Sequence, residues 1–243
     1  MPQRLRRYSA FYFCYYAGLG AFSPYIGRFV DALGHSGVVL GLMLALWYGT
    51  RVLAPPAWIA LVNRSARPGA LLLAGCIATL MAFAGFTFVQ SALGLCVVMS
   101  LFGLAYSPLL PQFEAMTLTA LGERSAEYGR IRVWGSIGFL VVASSYGWLL
   151  DRFGAVNFPW LVLPLFVLMV LAAMPHRLAP PPHGETRARN YAELWRRPGV
   201  RRFLIVAMLM QMGFGAFYVF YTLHMQAQGH SGLVVGLLWG TGV

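Results

Sequence analysis

The sequence predicts an all-α integral membrane protein. Of its 243 residues, 59% are hydrophobic and 10% are charged, whereas a soluble domain carries roughly 25% charged residues. The apolar residues form blocks long enough to cross a bilayer. One stretch also occurs twice, as GHSGVVLGLM at 34–43 and GHSGLVVGLL at 229–238. Together these observations predict a bundle of membrane helices that contains an internal duplication.

The apolar blocks define the helices. Within each block the apolar residues cover all sides of a helix, which indicates helices surrounded by lipid and by other helices. Seven spans are predicted at 8–30, 38–62, 70–89, 92–121, 131–150, 157–174 and 203–223. An eighth begins at Leu233, and Val243 lies about halfway along the length that a bilayer requires.

The basic residues predict how these spans are oriented. The formal net charge of +11 comes from arginine, because the sequence contains no lysine. With the N-terminus in the cytoplasm and alternating spans, every arginine falls on the inner side except Arg28, Arg51 and Arg152. This distribution follows the positive-inside rule. It accounts for the basic charge without a nucleic-acid partner.

The duplication gives these spans a domain organisation. We predict a six-helix N-terminal half at 1–175, a cytoplasmic linker at 176–202, and the start of a second half at 203–243. An even number of spans separates the two copies of the repeat, so both copies run in the same direction. Parallel repeats of this kind are typical of the two halves of major facilitator transporters, which predicts a whole protein of about 390 residues. The sequence is then expected to be a fragment or a truncated product.

Three charged residues within or near the spans are candidate functional groups: Arg51, Glu114 and Arg132. A charge at the centre of a membrane helix costs about 2.5–3.5 kcal/mol, so it needs a partner or a water-filled cavity. Arg51 is either a structural ion-pair residue or a group that binds anions in a central cavity. Glu114 and Arg132 are expected to meet, because the fourth helix descends and the fifth rises. Only one of Arg130 and Arg132 can face Glu114, since two positions along a helix differ by about 200°.

Tyrosines on the first and seventh spans are candidate cavity-lining residues. Tyr12 and Tyr16 share one helix face, and Tyr218 lies on the repeat-related seventh helix. Because these two helices would face each other across a pore, the three tyrosines could bind a substrate that contains a ring. Aromatic packing or interfacial belts are the alternative explanation.

The sequence contains no pattern typical of an enzyme. It has no phosphate-binding loop, catalytic triad or metal-ligand cluster. Cys14, Cys76 and Cys96 lie within spans, without the spacing of a disulfide framework or a zinc site. We therefore predict no catalytic residues, no metal and no cofactor.

Residues 106–144, YSPLLPQFEAMTLTALGERSAEYGRIRVWGSIGFLVVAS, resemble the phenyl propionate permease family of the major facilitator superfamily. The similarity consists of an SPL-P segment, an acidic residue at Glu114, and a Y-G-basic-x-R-x-W-G-S motif from Tyr128 to Ser136. Arg51 in GTRVLAP matches an arginine of that family's second helix. The resemblance covers the whole chain. It implies a proton-coupled importer of small aromatic carboxylates in a bacterial inner membrane.

The function that we predict is therefore secondary active transport. Arg51 and Arg132 would attract the carboxylate, and Glu114 would take part in coupling to the proton. The expected partners are a small organic acid and membrane lipid, with no nucleic acid, and we expect a monomer. Two alternatives stay open: a proton symporter for a nucleoside or sugar, and a truncated membrane protein that does not transport.

Overall fold

The computed structural model describes residues 3–179 and 196–241, apart from the side chains of residues 3, 4, 211, 214–219 and 241. These residues form α-helices joined by short turns and 3₁₀ segments, and no strand occurs among them. The helices are α1 (Gln3–Ala32), α2 (Gly37–Arg64), α3 (Pro68–Ala84), α4 (Ala92–Tyr106), α5 (Leu109–Leu121), α6 (Tyr128–Phe153), α7 (Phe158–Ala173), α8 (Pro198–Ala227) and α9 (Gly232–Thr241). The all-α prediction is confirmed.

The fourth predicted span consists of two helices, α4 and α5. Pro108 and Pro111 have no backbone N–H, so the carbonyls of Leu104 and Ser107 lack their usual donors four residues later. α4 therefore ends at Tyr106 and α5 begins at Leu109. The break lies within one predicted span.

Four described stretches are long and apolar enough to cross a membrane: Gly37–Arg64, Pro68–Thr87, Ala92–Phe153 and Ala155–His176. The third contains 62 residues and combines α4, α5 and α6, which correspond to two predicted crossings. α1 is not among the four, because its tyrosines and glycines lower its mean hydropathy. It contacts α2, α6, α7 and α8, so protein covers much of its surface.

α1 and α6 cross closely at two glycines. A Cβ atom at Gly20 would lie 2.7 Å from the carbonyl oxygen of Phe139, and one at Gly138 would meet the carbonyl oxygen of Phe13. The backbones can approach this closely only because neither glycine has a side chain. This crossing fixes the position of α6 against the centre of the bundle.

The last described helices, α8 and α9, pack on the first part of the chain through α6. Phe139, Ala143, Val235 and Trp239 form a buried cluster between α6 and α9. Trp239 also donates a hydrogen bond from Nε1 to Thr222 Oγ1 of α8 at 3.0 Å. The predicted domain limits at 175 and 202 stay a prediction, since residues 180–195 of the linker lie outside the described part of the chain.

Candidate functional site

Glu114 and Arg132 lie together near the ends of α5 and α6. Arg132 Nε is 3.8 Å from Glu114 Oε1, and each side chain is about one-third exposed. The hydroxyl of Tyr128 donates a hydrogen bond to the same carboxylate oxygen at 3.2 Å. Arg130 is exposed on another face of α6. The predicted juxtaposition of Glu114 with Arg132 alone is therefore confirmed.

Two tyrosines of α1 extend this cluster. Arg132 donates a hydrogen bond to the hydroxyl of Tyr16, and its guanidinium carbon lies 4.1 Å from the centre of the Tyr16 ring. The same carbon lies 5.6 Å from the Tyr12 ring. Tyr12 is fully buried, and its hydroxyl approaches Thr117 Oγ1 at 3.5 Å. The guanidinium thus holds Glu114 on one side and the tyrosine rings on the other.

A cavity of about 180 Å³ lies beside this cluster, between α1, α2 and the α4–α5 break. Tyr16 lines it and connects it to Arg132. The other lining residues are mostly aromatic or aliphatic: Tyr15, Leu19, Trp47, Arg51, Pro55, Tyr106, Ser107, Leu110 and Pro111. Trp47, Tyr15 and Tyr106 therefore give the cavity an aromatic wall.

Arg51 is the cationic side chain among these lining residues. The ion pairs formed by the described residues join Arg28 to Asp151, Arg124 to Glu127, and Arg132 to Glu114, so none involves Arg51. Arg51 is thus an exposed cation that lines the cavity and has no ion-pair partner among the described residues. Intramembrane charges without a protein partner typically serve a ligand or an aqueous pathway.

Tyr218 lies in α8, but its side chain is outside the part of the chain that the structure describes. Its predicted place opposite Tyr12 and Tyr16 stays a prediction. Among the described residues no group of three or more His, Cys, Asp or Glu side chains could hold a metal ion. Cys14, Cys76 and Cys96 are free thiols.

A second polar cluster lies at the opposite end of α1 and α6, and the sequence analysis did not predict it. Arg28 Nη2 is 2.9 Å from Asp151 Oδ1. The other carboxylate oxygen of Asp151 accepts a hydrogen bond at 2.7 Å from the backbone N–H of Gly232, at the start of α9. With the Gln226 amide oxygen turned toward α1, Arg28 Nε donates to it at 2.7 Å. This network joins α1 and α6 to α8 and α9.

The described helices form a bundle with one polar cluster at Glu114 and Arg132 and a second at Arg28 and Asp151. A model of the MFS_1 like family matches residues 5–243. The chain therefore belongs to the MFS_1 like family, and it is a multi-pass membrane protein of the major facilitator type.

Two relatives agree with this assignment. The chain is 28% identical over 246 aligned residues to the "Probable 3-phenylpropionic acid transporter" of Escherichia coli (strain K12), covering 96% of this chain and 62% of the relative. It is also 28% identical to the "Maltose permease" of Geobacillus stearothermophilus, covering 84% of this chain and 52% of the relative. The chain thus spans about half to three-fifths of the length of these relatives. Both relatives are transporters rather than enzymes.

Solved structures show the same fold. The nucleoside transporter NupG, as its D323A mutant, superimposes with a TM-score of 0.76 at 15% identity. The alignment covers 89% of this chain and 56% of that structure. At this level of identity the similarity describes the architecture and carries no information about the substrate.

Proposed function

We propose that the protein is a secondary active transporter that imports a small aromatic carboxylate together with a proton. The observation that carries the proposal is Arg51, a cation without an ion-pair partner among the described residues, at a cavity with aromatic walls. A carboxylate would supply the missing negative charge. A ring would pack against the aromatic side chains.

The cavity wall supports a flat apolar ligand. Tyr15 and Tyr106 stack with their ring centres 4.4 Å apart, and Trp47 lies 5.7 Å from Tyr106. The Tyr106 hydroxyl donates to the carbonyl of Tyr15 at 2.7 Å, so its polar end is satisfied internally. The three rings are buried and packed on neighbouring rings, so they form a rigid apolar wall, while Arg51 supplies the charge.

The Glu114 cluster supports coupling to a proton. At 3.8 Å, two unit charges attract by about 4 kcal/mol at an effective dielectric constant of about 20. Solvent around these partly exposed side chains reduces that figure. Protonation of Glu114 would remove the attraction and release Arg132, which contacts Tyr16 at the cavity. One proton would thereby change the charge beside the substrate.

The same proposal includes the location and assembly of the protein. We place it in a bacterial inner membrane as a monomer, with the N-terminus in the cytoplasm, because the arginines then follow the positive-inside rule. Residues 1–175 would form one half of an alternating-access transporter, and the linker would connect it to a second half that begins near residue 203.

A nucleoside or sugar symporter is the second candidate function. The similarity to a maltose permease favours it. An uncharged substrate would leave Arg51 without a counter-charge, which is why we rank it below an organic acid.

Uptake by the full-length transporter in membrane vesicles tests both candidates. Labelled 3-phenylpropionate should accumulate with a proton gradient and stop accumulating when the gradient is collapsed. Unlabelled aromatic acids should compete, whereas uridine and maltose should not. Competition by uridine or maltose alone would replace the acid proposal with the second candidate.

Two variants assign the roles of the charged residues. Arg51→Ala should raise KM for the acid roughly tenfold or more, since a charge-assisted hydrogen bond is lost. Arg64→Ala, an exposed arginine at the end of the same helix, is the matched control. Glu114→Gln should abolish gradient-driven accumulation and retain exchange, whereas the exposed Glu123→Gln should retain both. Unchanged accumulation in Glu114→Gln would remove Glu114 from the coupling mechanism.

A further inference from the structure

Ser107 carries a buried hydroxyl that no group in the described part of the chain satisfies. The residue is 9% exposed and lies between the end of α4 and the start of α5. Buried hydroxyls in folded proteins are normally hydrogen-bonded, because an unpaired one loses its hydration without compensation. We therefore expect the hydrogen-bond partner of this hydroxyl to lie outside the described residues.

Several other buried or half-buried hydroxyls of the bundle are hydrogen-bonded within their own helices. Thr50, Thr79, Ser100 and Thr117 each donate to a carbonyl three or four residues earlier in their own helix, at 2.7–2.8 Å. Ser107 makes no such bond. Ser9 shares this property with Ser107, but it lines a different cavity, of about 660 Å³, whose lining includes neither Arg51 nor an aromatic residue of the α4–α5 break.

The surroundings of Ser107 indicate which ligand would pair with it. Ser107 and Arg51 line the same cavity. Two other polar ends in this wall are engaged: Tyr106 donates to the Tyr15 carbonyl, and the Tyr16 hydroxyl accepts from Arg132. A hydroxyl and a guanidinium are both hydrogen-bond donors, and together they match the two oxygens of a carboxylate.

The backbone at this point has the form of a ligand site. Pro108 and Pro111 interrupt the helix around Ser107 and leave it at the junction of two helical segments. In membrane proteins, irregular backbone at this depth is tolerated where it is buried in protein or lines a cavity. Interrupted helices also build the substrate sites of many secondary transporters.

We propose that Ser107 is a specificity residue that donates a hydrogen bond to one carboxylate oxygen of the substrate, while Arg51 binds the other. The proposal rests on the acid-transport function given above. It adds that acids are distinguished from their neutral analogues by a hydroxyl at the α4–α5 break as well as by the arginine.

Kinetics of the full-length transporter test this inference. Ser107→Ala should raise KM for 3-phenylpropionate roughly tenfold, because a hydrogen bond to a charged group is lost. The maximal rate per transporter should change by less than about twofold, since the loss concerns ground-state binding. Ser107→Thr keeps the hydroxyl and should largely restore KM.

Ser100→Ala is the matched control. Ser100 lies in α4, two helical turns before Ser107, and its hydroxyl is already bonded to the Cys96 carbonyl at 2.8 Å. Its removal should leave KM unchanged. In the wild type the acid should compete far better than 3-phenylpropionamide, and Ser107→Ala should reduce this preference by about the same factor as the change in KM.

A labelling experiment gives a second readout that does not depend on transport. In a full-length protein whose cysteines, including Cys14, Cys76 and Cys96, are replaced by alanine, Ser107→Cys should react with a small maleimide, and 3-phenylpropionate should slow that reaction. Labelling that the acid does not slow would overturn the inference.

The outcomes separate this inference from the proposed function. If the wild type takes up no aromatic acid, the proposed function fails and the role of Ser107 fails with it. If the wild type transports the acid and Ser107→Ala has an unchanged KM, only the role of Ser107 is overturned. A lower maximal rate with unchanged KM would indicate a structural role and would also overturn it.

Discussion

The Gly20→Ala substitution tests the close packing of α1 against α6. In Gly20→Ala the new Cβ would lie 2.7 Å from the carbonyl oxygen of Phe139 and 3.1 Å from its Cα. An ordinary contact of a Cβ atom is at least 3.4 Å, so the two helices must separate by about 0.7 Å (3.4 − 2.7). The opposing atoms belong to the backbone of α6, so no side-chain rotation can relieve the clash.

The expected cost follows from two opposing effects. Overpacking a close contact lowers the unfolding free energy by about 1–3 kcal/mol. Replacing glycine by alanine within a helix raises it by up to about 1 kcal/mol. Gly49→Ala separates these effects, because nothing lies within 4 Å of a Cβ at Gly49 in α2. The difference in unfolding free energy between the two variants should therefore be about 1–3 kcal/mol, the steric contribution alone.

Thermal unfolding of the 243-residue chain in detergent measures this difference. Cys76 and Cys96 are buried, so a thiol-reactive fluorogenic maleimide reports their exposure as the helices separate. For a chain of 150–250 residues, 1 kcal/mol corresponds to roughly 2–4 °C in Tm, which gives a gap of about 2–12 °C between the variants. If both variants melted within about 1 °C of each other, the close crossing of α1 and α6 would be refuted.

Two further variants test the helix ends. Asp151→Asn should lower stability by roughly 1–2 kcal/mol, because Arg28 loses its counter-charge and the N–H of Gly232 loses a charged acceptor. The exposed Asp31→Asn is its control, and Tm measured by the same maleimide assay decides between them. Equal Tm values would show that the Asp151 network contributes nothing. Gly34→Ala should cost about 1–2 kcal/mol, because Gly34 has φ +80°; a Tm equal to that of the wild type would contradict this.

The membrane class and the order of helices could be predicted from the sequence because hydropathy acts locally. A block of about 20 apolar residues has few alternatives to a membrane helix. The contact between Glu114 and Arg132 was also predictable, since a short connection between successive helices keeps both residues near the same end. The break between α4 and α5 divides a block that hydropathy describes as one span.

Contacts between distant helices could not be predicted in the same way. Arg28 and Asp151 are separated by 123 positions, and they meet only because α1 and α6 cross at two glycines. The rotation of each helix about its axis decides which side chains meet, and no local pattern specifies that rotation. For the same reason Ser107 was not predicted as a site residue: its lack of a partner becomes visible only when the neighbouring helices are in place.

The repeated GHSG motif has the same backbone structure in both copies. In both copies the glycine has a left-handed backbone, with φ +80° at Gly34 and +84° at Gly229. Gly34 N–H bonds to the Asp31 carbonyl at 2.8 Å, and Gly229 N–H bonds to the equivalent Gln226 carbonyl at 2.8 Å. The next residue bonds five positions back in each copy, which is the Schellman pattern of a helix end. The sequence therefore specifies the same helix reversal twice.

The two reversals nevertheless have different partners. In the first copy the His35 ring lies 2.6 Å from the Gln90 carbonyl, at the start of α4. In the second copy the N–H of Gly232 bonds to Asp151 of α6. A duplicated motif thus produces one local structure in two tertiary settings, and in the second setting a hydrogen bond from the backbone joins it to α6. If alternating access separates the halves at this end, the hydrogen bond between Gly232 and Asp151 must break, whereas the equivalent turn at Gly34 can stay intact.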